Sequence, residues 1–146
     1  MAFLDWSDIL SVHYRLIDAD HKKLIDLINR LHDASVNGDS HAGATNALKQ
    51  LMDFTKAHFV HEETLMRKTA YPQIIPHKIE HDRLTKQLED FLNRFESGQA
   101  GLSQDTVVFL RTWLCDHIIE VDIHLGRWLA KFEAQPAEVP EPSKNA

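Results

Sequence analysis

The chain has 146 residues, 43% hydrophobic and 26% charged, an ordinary balance for one domain with room for a real core. Its net charge of −6, without a basic patch, excludes a general nucleic-acid-binding surface. A lone cysteine, Cys115, excludes an internal disulfide and any cysteine-based zinc or iron–sulfur site. No signal-peptide pattern and no membrane-spanning apolar run occur, so the expected setting is the reducing cytoplasm.

Residues 1–18 read as an arm. Phe3, Leu4, Trp6, Ile9 and Leu10 are too apolar for a free tail and are expected to pack on the body. Leu24, Ile25, Ile28 and Leu31 recur at helical spacing, which predicts a first helix over about 20–36, stopped by Asn37-Gly38. Ser40 is placed to cap a second helix running to about Lys68, with Leu48, Leu51, Met52 and Phe54 inward. "YPQIIP" (71–76) reads as a turn into a third helix ending near Ser97, with Ile79, Leu84, Leu88, Phe91, Leu92 and Phe95 on one stripe. Ser103 opens a fourth, with Asp105 at the positive end of its dipole. Gly126 inside that helix costs about 1 kcal/mol against alanine but need not end it. Residues 134–146 are proline-rich and polar and read as a disordered tail. The prediction is an all-α, up-down-up-down four-helix bundle over residues 1–133, with the arm packed on it.

Ten histidines are the anomaly. Positions i and i+4 share a helix face, and His58/Glu62 and His77/His81 have that spacing. His21 opens the first helix; His117 and Asp122 lie midway along the fourth. With alternating helix directions the first three groups fall near one end, and His117 reaches that level if the fourth helix overhangs. His117 and Asp122, five residues apart, are about 140° apart on an ideal helix. Their convergence predicts an irregularity of π type between Cys115 and Asp122. His32, His41, His61 and His124 read as surface or satisfied core residues, and Glu63 as facing solvent.

Burying several polar pairs without partners would cost several kcal/mol, which metal ligation removes. The candidate ligands are His21, His58, Glu62, His77, His81, His117 and Asp122. That set exceeds one tetrahedral zinc, and its imidazoles do not suit calcium or magnesium. The zinc-protease signature HExxH and the ferritin-like Glu-x-x-His are both absent. Two metal ions fit. With both carboxylates and a hydroxide or oxide bridging, the set falls one donor short of filling two six-coordinate ions, and a small molecule could take that position.

The motifs "IDADHKKL" (17–24), "HFVHEETLM" (58–66), "YPQIIPHKIEHDRL" (71–84) and "WLCDHIIEVD" (113–122) together resemble the hemerythrins, the bacterial members most closely. The similarity covers roughly residues 4–132. It implies a non-haem di-iron centre, oxo- or hydroxo-bridged, that binds O2 reversibly for storage or for delivery to an O2-using enzyme. By resemblance, His77, His81 and His117 hold one iron, His21 and His58 hold the second with the open position, and Glu62 and Asp122 bridge. Phe59, Trp113, Leu114 and Ile118 match the apolar O2 pocket. Bacterial members often carry glycine at the position of His13, which is expected on the surface here. Two other readings use the same centre: a sensor or interaction module for O2, nitric oxide or redox state with a signalling partner, and a peroxidase or nitric oxide reductase. No acid, base or nucleophile is left over to activate a substrate, which weighs against an enzyme. Cys115 is assigned no role.

Overall fold

The computed structural model describes residues 3–38 and 40–134. Helix α1 spans Arg15–Asn37, α2 His41–Lys68, α3 Ile74–Glu96 and α4 Gln104–His117. A π-helical turn, Ile118–Asp122, leads directly into α5, Ile123–Ala134, so these three segments form one long fourth rod. Four rods joined by short turns give the expected up-down-up-down bundle. The tail expected beyond α5 lies outside the described residues.

Local chemistry sets the boundaries. Gly38 takes a left-handed conformation (φ 66°) and its N–H caps α1 on the carbonyl of Ala34. The side chains of Ser40 and Ser103 accept from the N–H groups of Gly43 and Thr106, capping α2 and α4. Pro76 sits in the first turn of α3, where a missing N–H leaves no intrahelical bond unmade. Helix α1 starts at Arg15 rather than near 20. Asp18 in its first turn binds back to the arm, accepting from the Val12 N–H (2.8 Å) and the Ser11 hydroxyl (2.6 Å).

The arm packs on the body through Phe3, Leu4, Trp6 and Leu10, whereas Ile9, expected to pack with them, is 78% exposed. Leu4 and Asn29 exchange two hydrogen bonds of 2.9 Å, and Phe3 stacks on His32. Val12 is fully buried against Gly126, where any Cβ would meet the Val12 carbonyl oxygen at 1.9 Å. Gly126 is therefore required by this crossing rather than merely tolerated. His13 has a positive φ of 63°, the backbone region glycine adopts without strain, and its side chain is exposed. One inward assignment on the helices needs correction: Ile79 is 62% exposed. Phe54, Phe91 and Leu92 are half-buried and pack against the core. None of the described helices is long and apolar enough to cross a membrane.

Candidate metal centre

The start of α1, the end of α2, the start of α3, the end of α4 and the π turn meet at one level of the bundle. They bring together all seven predicted residues, each at most 5% exposed. The π turn makes this possible. The Ile123 N–H bonds back five residues to the Ile118 carbonyl, adding a residue to the turn. Asp122 is thereby carried round to the face of His117, and their Nε2 and Oδ1 atoms lie 2.9 Å apart. The irregularity expected between Cys115 and Asp122 is this turn.

The donors divide into two groups, in each of which one ligand atom per residue lies within 4.8 Å of every other: Glu62, His77, His81, His117 and Asp122; and His21, His58, Glu62 and Asp122. The two carboxylates belong to both. Glu62 Oε1 lies 2.9 Å from His81 Nε2 and 3.1 Å from His77 Nε2, while its Oε2 lies 3.1 Å from His58 Nε2. Asp122 Oδ1 lies 3.1 Å from His77 Nε2 and 2.9 Å from His117 Nε2, while its Oδ2 accepts from His21 Nε2 at 2.8 Å. Each carboxylate thus turns one oxygen toward the three-histidine group, against two of its members, and the other toward the two-histidine group, against one.

Several of these contacts are close without being hydrogen bonds. His58 Nε2, His117 Nε2, Glu62 Oε2 and Asp122 Oδ1 are buried with no hydrogen-bond partner. Orphaned polar atoms at this depth cost free energy unless something else occupies their lone pairs. Imidazole nitrogens and carboxylate oxygens converging on two centres are a donor set for first-row transition metals such as iron. The residues present fit a two-metal cofactor.

The electrostatics agree. Burial alone lowers the basicity of His58, but the Glu62 charge beside it and the Asp20 carboxylate that accepts from it outweigh burial and raise its pKa to about 10. His77 is pushed up to about 9, against burial, by the Asp122 and Glu62 carboxylates beside its Nε2. Burial and mutual repulsion push the Glu62 carboxyl up, yet His58 and His77 hold it well below its ordinary range. Burial likewise raises Asp122, and His117, His21 and His77 bring it well below the usual value. In the metal-free protein, protons on His58 and His77 balance the two buried carboxylates; a metal would displace them.

Three features escaped the sequence reading. Asp20 Oδ2 accepts from His58 Nδ1 (2.8 Å) and also from His61 Nδ1 (2.9 Å). Glu63 does not simply face solvent: it accepts from His81 Nδ1 at 2.9 Å and is flanked by Lys78 at 3.5 Å. Glu80 stands 4.0 Å from His117 Nδ1. A proton held on Nδ1 by Asp20 or Glu63 leaves the Nε2 lone pair of His58 or His81 directed at the cluster. The signal was present as carboxylates adjacent to ligands in "DH" (20–21) and "EE" (62–63), but sequence alone did not pair them across helices. His61 and His124 are exposed, while His32 and His41 stack on Phe3 and Phe95. Phe59 stacks on His81 with centroids 3.9 Å apart, and Trp113, Leu114 and Ile118 are buried. Cys115 is half-buried outside the cluster, and burial raises its thiol pKa.

The comparisons with known proteins agree with this geometry. The hemerythrin HHE cation binding domain matches residues 12–129. A bacteriohemerythrin of Methylococcus capsulatus is 37% identical over 132 residues, covering 89% of this chain and 99% of its own. One from Pseudomonas aeruginosa is 35% identical over 118 residues, covering 81% and 76%. The crystal structure of a wild-type hemerythrin superposes with a TM-score of 0.83 at 35% identity, covering 88% of this chain and 99% of its own.

Proposed function

The chain belongs to the hemerythrin family, and from that premise we propose that it binds O2 reversibly at a di-iron centre, for storage or for delivery to an O2-using enzyme. The carrying observation is the division of the two shared carboxylates. His77, His81 and His117 with Glu62 Oε1 and Asp122 Oδ1 would hold one iron; His21 and His58 with Glu62 Oε2 and Asp122 Oδ2 would hold the other. The second group has one histidine fewer, so a position open to O2 would fall there.

The bound irons supply the electrons that make O2 a ligand. The chain's own residues keep the exchange reversible. Phe59, Trp113, Leu114 and Ile118 supply an apolar lining that admits neutral O2 and excludes water and charged reductants. Phe59, face to face with His81, fixes that imidazole while sealing its side of the cluster. Asp20 and Glu63 keep their histidines' protons on the outer nitrogens, so the inner ones stay available to metal.

The test is anaerobic reduction followed by air, with an optical spectrum and iron analysis. Two irons per chain and a visible band that appears with O2 and disappears under vacuum support a carrier. Two irons with immediate irreversible oxidation move the reading to a sensor or an enzyme, and failure to hold two irons rejects it.

A further inference from the structure

Reversible O2 binding needs no path for electrons into the site, yet aromatic rings stand in series between it and the surface. Tyr71, in the turn between α2 and α3, is 6% exposed, and its ring centroid lies 6.3 Å from the His77 imidazole. On its other side the Trp128 indole lies 5.9 Å away. Trp128 is half-buried and sits 6.5 Å from Phe132, which is 43% exposed. The indole is held in place: its Nε1–H donates to Thr69 Oγ1 at 2.9 Å, and the Thr69 hydroxyl donates to the Leu65 carbonyl at 2.8 Å. Tyrosine and tryptophan are the aromatic side chains most readily oxidised by one electron. Here they stand in series, ring against ring, from a proposed iron ligand to the protein surface.

We propose that Tyr71 and Trp128 form a relay that carries one-electron oxidising equivalents from the metal centre to the surface when hydrogen peroxide reaches the site, sparing the ligands. The proposal rests on the di-iron reading. Hydrogen peroxide takes up two electrons and two protons to become two waters. Each electron is drawn from Tyr71, which releases its phenolic proton to solvent. An electron from Trp128 and a solvent proton then restore the phenol. Trp128 is left one electron short, as an indole radical cation that keeps its N–H on Thr69. An external one-electron donor of the ascorbate or thiol class refills it. Over two cycles the donor supplies two electrons and solvent two protons.

The test uses iron-loaded full-length protein, treated with a small excess of hydrogen peroxide without a donor and then mapped by peptide mass spectrometry. Oxygen should be added at Trp128, with Trp6 and Trp113, which lie outside this chain of ring contacts, largely spared. Ascorbate should suppress the addition. Tyr71→Phe should lower Trp128 oxidation several-fold while leaving iron content and the O2-dependent band in place. In Trp128→Phe, a freeze-quenched sample should show the electron paramagnetic resonance of a tyrosyl radical. Equal Trp128 oxidation in wild type, Tyr71→Phe and metal-free protein would overturn the relay, as would addition chiefly at Trp113 or the ligand histidines. Iron content and the reversible band test the site, and the position of the added oxygen tests the relay, so the two fail separately.

Discussion

The two ends of the bundle are built on opposite rules. At one end His21, His58, Glu62, His77, His81, His117 and Asp122 fill the interior with polar groups. At the other, where α2 begins and α3 ends, Leu31, Leu48, Phe95, Val107 and Leu110 are buried, and His41 stacks on Phe95. Burying each large apolar side chain stabilises the fold by about 1.5–3 kcal/mol. Burying each unpaired ion costs several kcal/mol. Folding stability therefore resides in the apolar end and the arm, and the metal end is a liability that a bound ion turns into a site.

The largest effect should come from the group that both halves of the metal end share. Asp122→Ala removes an oxygen from each donor group at once. Metal analysis should show both irons lost with helix content retained; a variant that keeps two irons would show that the carboxylate is not shared. The matching change at the far end is Leu31→Ala. It should cost about 2–5 kcal/mol by the cavity it leaves, lowering the denaturation midpoint without altering the O2-dependent band. If Leu31→Ala weakens iron binding as much as it weakens folding, the two ends are not separable.

Chelation sharpens the contrast through pH. His58 and His77 have pKa values raised to about 10 and 9 in the metal-free fold. Their contribution is fully present below the ordinary histidine value of about 6.5 and is lost as pH rises through those folded values. Glu62 and Asp122 are depressed, so theirs is present above the ordinary carboxylate range and lost on acidification. Metal-free protein should thus lose denaturation midpoint from about pH 6.5 upward. Iron-loaded protein should resist that loss, because metal needs the histidines deprotonated. Parallel pH profiles for the two forms would separate these protons from the metal's role.

How much of this was legible in the sequence follows from the same division. The gathering of seven residues was legible because i,i+4 polar pairs and the five-residue gap before Asp122 carry a geometric signature, and the π turn resolves that gap. The inward face of α3 was partly misread. His77, His81, Leu84 and Leu88 define it, and Ile79, two residues from each histidine, falls about 200° round the helix. Hydrophobicity alone placed Ile79 inside, whereas the buried histidines mark the true face. Asp20 and Glu63 were illegible for a different reason. Their partners lie on neighbouring helices, and helical spacing within one segment says nothing about which outer carboxylate meets which imidazole. The crossing at Gly126 was hidden likewise, since its cause is Val12 in the arm.

Those outer carboxylates predict effects of intermediate size. Glu63→Gln and Asp20→Asn should each weaken metal retention by roughly 10–100-fold, since partners of ligand histidines typically contribute that much. Chelator competition would measure it. The comparison within the site lies in which ion leaves first: the one on the His81 side in Glu63→Gln, the one on the His58 side in Asp20→Asn. Identical loss patterns would mean that the carboxylates act through net charge rather than through their own histidines.

The smallest effect tests whether the arm belongs with the stabilising half of the molecule. Gly126→Ala gains about 1 kcal/mol of helix propensity. The new Cβ would meet the Val12 carbonyl oxygen at 1.9 Å and the Val12 Cβ at 2.7 Å, and the Val12 backbone cannot yield as the end of a flexible side chain would. Overpacking of this kind costs about 1–3 kcal/mol, so the net loss should be about 0–2 kcal/mol. The strain can relieve itself only by lifting the arm. Limited proteolysis should then cut near Val12 in the variant and spare the wild type, while iron content stays at its wild-type level, because the ligands approach from the four rods and not from the arm. Loss of iron together with release of the arm would show instead that the arm holds the metal end closed.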